Sequence, residues 1–212
     1  MDAQQLKQQF DQVYNMDPIL YNGRIFTDYY RTGVDGTQFF IRKSFSVGDL
    51  KVRDHVYKQQ NLNYEVYKQK LLLSFTDKNN AVKVIEVPLE NVQYFYLRSK
   101  YFEVIAWQDN TYKIFQVFRN GQNEILIQWF KTLKSSNTTT TNRRQFSDLK
   151  KQIWLFKDDE YYLVKNNKSF IKLFLPEQKT AINKWLKKNQ IKIQKADDKK
   201  LQLLIDYWSL KW

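Results

Sequence analysis

The chain has 212 residues, with 35 Lys and Arg against 22 Asp and Glu, for a net charge of +13. Aromatic residues make up 17% and apolar residues 42%, which excludes intrinsic disorder, since disordered chains are poor in aromatics. One His and no Cys exclude disulfides, thiolate metal sites, cysteine nucleophiles and any site that needs two imidazoles.

Residues 3–14 read as a short helix, because Leu6, Phe10, Val13 and Tyr14 fall on one helical face. Asp2 suits its cap and Pro18 ends it. From about Gln38 to Leu163 the pattern is strand after strand. Gln38–Ile41, Leu50–Tyr57 and a long run from Tyr64 to Phe75 are followed by Val82–Val87 and Val92–Leu97. Phe102–Ala106, Thr111–Phe118 and Glu124–Leu133 continue the series. The intervening turns carry Asn-Asn, Asp-Asn or Asn-Gly, residues that tolerate positive φ. Closely spaced strands without intervening helices predict an antiparallel meander, either a sandwich or a curled sheet, and argue against a doubly wound fold.

Ser135–Asn142 is polar and of low complexity, and reads as an exposed hairpin loop or linker. Ile153–Phe156 and Tyr161–Val164 form a hairpin turning at Lys157–Glu160. Asn167–Leu175 reads as a short helix, and Pro176 opens a second in which Ala181, Ile182, Trp185 and Leu186 share a face. Ile191–Ile193 is an extended link. Asp197 and Asp198 then open a third helix, where Leu201, Leu204, Ile205 and Trp208 recur with helical period and should be buried. The fold class is therefore α+β: a short N-terminal helix (1–18), an antiparallel β domain (19–165) and a C-terminal helical subdomain packed on it (166–212).

Catalytic motifs are missing from the sequence. His55 sits in a hairpin turn among Arg53, Asp54 and Lys58, with no nucleophile placed for a triad. Five scattered glycines form no phosphate-cradling loop. Asp158-Asp159-Glu160 and Asp197-Asp198 read as a turn and a helix start, and Glu65, Glu86, Glu90 and Glu103 as solvent-facing strand positions. The expectation is a protein that is not an enzyme and carries no cofactor or metal.

Charge is the one global signal. Residues 151–212 hold 14 Lys against 7 acids and no Arg. Lys187, Lys188, Lys192 and Lys195 form the candidate patch for an anionic partner. A protein or envelope component is expected there, with anionic lipid headgroups among the candidates. Nucleic acid ranks lower, because its readers favour Arg. The aromatic residues admit two accounts, a filled core or the lining of a half-barrel that carries a lipid or other apolar ligand. No apolar run reaches the roughly 18 residues of a membrane span, so the chain is not expected to be transmembrane. Met1–Gln5 has neither a basic nor an apolar leader region, so no signal peptide is expected in this chain.

Leu20-Tyr21-Asn22-Gly23, Tyr29-Tyr30-Arg31 and Gly36–Phe40 resemble the opening of an uncharacterised family of exported Bacteroidetes proteins. The stretch from Phe45 through Gly48-Asp49-Leu50 and Tyr57 to Leu62–Tyr67 is similar to that family's hairpin. Its turn at Arg53-Asp54-His55 departs from the family in lacking a glycine. Tyr161-Tyr162-Leu163, Lys172-Leu173-Phe174, Lys187–Ile193 and Leu204–Tyr207 resemble the family's C-terminal end. The resemblance covers both ends of the chain and is thin from about Asn91 to Asp148. It implies export, and a place in the periplasm or at the outer-membrane periphery. It lends no activity and no site residues.

Overall fold

The structure is a computed structural model that describes residues 17–77, 79–107, 109–138 and 141–211. The helix expected at 3–14 lies outside the described residues. The chain divides into two compact units, Met1–Ile114 with Phe130–Leu149, and Phe115–Trp129 with Lys150–Trp212. The class is α+β: mostly antiparallel strands with a few helices, one of them C-terminal.

The first unit holds a one-turn helix, α1 (Pro18–Tyr21), and strands β1 (Arg24–Ile25), β2 (Val34–Asp35), β3 (Ser46–Val52), β4 (His55–Glu65), β5 (Lys70–Thr76), β6 (Val82–Val87), β7 (Val92–Leu97) and β8 (Lys100–Ala106). Seven of these pair antiparallel in the order β1-β6-β5-β4-β3-β7-β8. The turns explain the register. Arg98 and Ser99 both take positive φ (52° and 60°) between paired Leu97 and Lys100, the shape a two-residue hairpin demands. Arg53 supplies the positive φ (50°) that a glycine would otherwise give, and its backbone N–H donates to the Asn91 carbonyl at 2.7 Å. Gly48 is required sterically: a Cβ there would lie 1.9 Å from the Tyr96 carbonyl oxygen, beside the register shift in β3.

Phe40, Tyr64, Phe95 and Phe102 fill the core of this unit, all fully buried. Phe95 and Phe102 stack with centroids 5.0 Å apart, and Phe40 meets Phe102 edge-on at 5.5 Å. The Tyr64 hydroxyl donates to Gln69 Oε1 at 2.6 Å, and burial raises its pKa far above the usual phenol value.

Several sequence expectations need correction here. Gln38–Ile41 is not a regular strand. It touches β4 through one bridge, Phe39 to Glu65, and through the Phe40 N–H to the Tyr64 carbonyl at 2.8 Å. The run from Tyr64 to Phe75 is broken by a turn at residues 66–69, where Gln69 has φ 56°. The polar tract at 135–142 contributes to two paired strands, β11 (Leu133–Thr138) and β12 (Thr141–Phe146), although 139–140 lie outside the described residues. β12 in turn pairs with β2 in parallel, so the strands are not antiparallel throughout.

The second unit contains most of β9 (Tyr112–Asn120) and of β10 (Asn123–Phe130), then β13 (Lys150–Lys157) and β14 (Glu160–Val164), neighbours in that order. Its helices are α2 (Asn167–Ile171), α3 (Pro176–Lys188) and α4 (Asp198–Lys211). The first helix is shorter than the sequence suggested, and of the expected extended link at 191–193 Lys192 is extended while Ile193 already opens a 3-10 turn at Ile193–Lys195. Asn166 and Ser169 cap α2 reciprocally, at 2.9 and 3.0 Å. Asp197 caps α4, accepting from the Lys200 N–H at 2.9 Å. Leu201, Leu204, Ile205 and Trp208 are buried against Ile182 and Leu186 of α3 and Ile153 and Leu155 of β13, as their spacing predicts. Each such side chain contributes about 1.5–3 kcal/mol by leaving water. Among the described residues no helix is long and apolar enough to cross a membrane.

Candidate anion-binding face

The helical period sorts α3 into two sides. Ile182 and Leu186 go to the core, while Lys179, Asn183 and Lys187, four residues apart, share the outer side. The same spacing puts Lys168 of α2 and Lys172, the C-cap residue of that helix, together. These two helix sides enclose a groove of about 590 Å³, lined by Asn167, Lys168, Ile171, Lys172, Lys179, Thr180, Asn183 and Lys187.

A second groove of about 440 Å³ shares Asn167 and Lys168 with the first and adds Lys165, Lys192, Ile193 and Lys195. Asn167 fixes the junction. Its amide nitrogen donates to the Ile191 carbonyl at 2.6 Å, and its amide oxygen accepts from the Ile193 N–H at 2.9 Å. The Gln194 amide donates to the Val164 carbonyl at 2.5 Å, which ties the 192–195 segment to the end of β14.

Seven lysines line the two grooves, and no carboxylate does. All are exposed except Lys179, which is half-buried. Among the described residues, no ion pair joins any of them to an acid. Concentrated charge of one sign repels itself and raises the local concentration of anions. The chemistry available is the binding of several anionic oxygens by ammonium groups on flexible stems.

Of the residues singled out by sequence, Lys187 lies in the first groove, Lys192 and Lys195 lie in the second, and Lys188 lines neither. Lys187 and Lys188 both occupy the last turn of α3, where cations favour the helix dipole. Sequence reasoning missed Lys165, Lys168, Lys172 and Lys179. The four-residue spacing of Lys168 with Lys172, and the eight-residue, two-turn spacing of Lys179 with Lys187, was the available signal.

Other polar clusters are smaller or carry both signs of charge. A depression of about 490 Å³ in the first unit holds Arg24, Lys70, Glu86, Glu90 and Tyr112, but Lys70 and Glu86 pair within it at 2.5 Å. Tyr30, Tyr67 and Phe146 form a ring cluster at 5.2–5.6 Å, and the chain's own Lys68 lies over Tyr29 and Tyr30. His55 is exposed at the start of β4, with its ring 6.3 Å from that of Tyr57. Among the described residues, no group of three or more His, Asp or Glu is placed to hold a metal.

The strand glutamates depart from expectation. Glu65 is 1% exposed rather than solvent-facing, and Glu86 and Glu103 are half-buried. Glu90 is exposed, but in a 3-10 turn at Leu89–Asn91 rather than in a strand. Segment 38–43 crosses the side of β4 that alternation assigns to solvent. There Asn63 donates to the Lys43 carbonyl at 2.9 Å and Phe39 bridges Glu65. Burial pushes the Glu65 carboxyl up to about 7, against the pull of the Lys68 N–H, which donates to it at 3.1 Å, and of the Lys70 and Lys68 charges.

The chain matches no family model, no curated protein and no solved structure.

Proposed function

We propose that this protein is a non-catalytic binding or assembly factor of the bacterial envelope, and that it engages an anionic partner through the lysine-lined face of its second unit. One observation carries the reading: seven lysines converge on two adjoining grooves from which carboxylates are absent. The placement in the periplasm or at the outer-membrane periphery rests on the resemblance of both chain ends to exported Bacteroidetes proteins. The alternative, a carrier with an open half-barrel, needs a lined cavity. In the first unit the place such a cavity would take is packed by Phe40, Tyr64, Phe95 and Phe102.

Titration with inorganic polyphosphate at low salt tests the binding. The wild type should bind, and a Lys168→Gln/Lys172→Gln/Lys179→Gln/Lys187→Gln variant should not. Equal binding by both proteins overturns the reading. Fractionation of cells expressing the native gene from its own start codon tests the location, and recovery in the cytoplasm alone refutes export.

A further inference from the structure

We infer that the partner surface is an anionic phospholipid bilayer, with Lys168 as the shared cation between two headgroup seats. This inference rests on the anion-binding reading above and names its partner. Three features favour a membrane over a nucleic acid, and a fourth favours it over a small anion. Every cation of the face is a lysine, whose compact ammonium binds phosphate as a point charge. The planar fork with which Arg reads bases is absent. Neither groove is lined by an aromatic ring on which a base could stack.

The charges are spread over two openings, on the β14–α2 connection, α2, α3 and the 192–195 turn. That distribution suits a plane of many anions better than one small ligand. An apolar group also accompanies the charge. Leu163 and Lys165 are both exposed on either side of buried Val164. An exposed leucine beside lysines can enter the headgroup boundary while the ammonium groups meet phosphate.

The shared position of Lys168 makes the inference specific. It lines both grooves, whereas Lys188 is an exposed lysine of the same unit that lines neither. Binding set by net charge alone would treat the two lysines alike. Binding through this face would not.

The test is co-sedimentation of the full chain with phosphatidylcholine vesicles, with and without phosphatidylglycerol, alongside inorganic polyphosphate and single-stranded DNA. The wild type should bind the phosphatidylglycerol vesicles and ignore pure phosphatidylcholine. Lys168→Gln should weaken vesicle binding about fivefold, the worth of one lysine at a membrane surface. Lys188→Gln should change it by no more than about twofold, because salt screens a charge that lies off the contact. Both substitutions are at exposed positions, and an unchanged thermal melt shows that each variant is folded. Equal losses in the two variants overturn the inference. Binding to polyphosphate or DNA without binding to vesicles overturns the bilayer as partner and leaves the anion-binding reading standing. Failure to bind any of these polyanions overturns both.

Discussion

Replacing Glu65 with glutamine should stabilise the protein above neutral pH and leave it almost unchanged in mild acid. Glu65 ends β4 at 1% exposure, and burial raises its carboxyl from 4.5 to about 7. The folded state therefore holds a proton between those values that the unfolded state has released. Stability falls as pH rises across this window and is level above it. At roughly 1.4 kcal/mol per unit, a difference of about 2.5 units amounts to about 3 kcal/mol. Glutamine fills the same space and keeps the oxygen that accepts from the Lys68 N–H, yet carries no charge to desolvate. Urea titrations of both proteins from about pH 4 to about pH 8 should show curves that diverge by up to about 3 kcal/mol at the alkaline end. Parallel curves would refute the reasoning, as would a variant less stable than wild type at about pH 8, which would mean that Lys68 and Lys70 hold the carboxylate charged.

Trp208→Ala should cost about 3–5 kcal/mol in a denaturant titration, because the ring is 2% exposed and meets Phe174 edge-on at 5.6 Å; a loss below about 1 kcal/mol would make α4 peripheral. Gly48→Ala should destabilise by about 1–3 kcal/mol, since its new methyl group meets the Tyr96 carbonyl oxygen. A neutral result in the same titration would show that β3 can move away from β7. Asp159→Gly and Ser99→Gly should each raise stability by about 1 kcal/mol, because both residues hold φ 60° in two-residue hairpin turns that glycine adopts freely. Lower midpoints in thermal melts would refute that account.

What the sequence by itself determined is local. The helical period of Leu201, Leu204, Ile205 and Trp208 specified a helix and its buried side, because residues three and four apart lie on one face whatever they pack against. The hairpin at Lys157–Glu160 was legible for the same kind of reason: Asp158 and Asp159 tolerate the positive φ that the turn imposes. Tertiary structure decided the rest. Alternation along β4 gives Glu65 to solvent, and only the return of residues 38–43, far back in the chain, covers that side. The polar tract at 135–142 carries no apolar residue, so its pairing depends on backbone hydrogen bonds that any sequence can make. Lysine spacing showed excess charge but not its focus. Lys165, Lys168, Lys172 and Lys179 join Lys187, Lys192 and Lys195 because Asn167 ties α2 to the segment after α3, a contact made across 24 residues. Patterns of side-chain polarity reveal which face a segment buries, but which distant segment arrives to bury it, or to share its charge, is settled only by the packing of the whole unit.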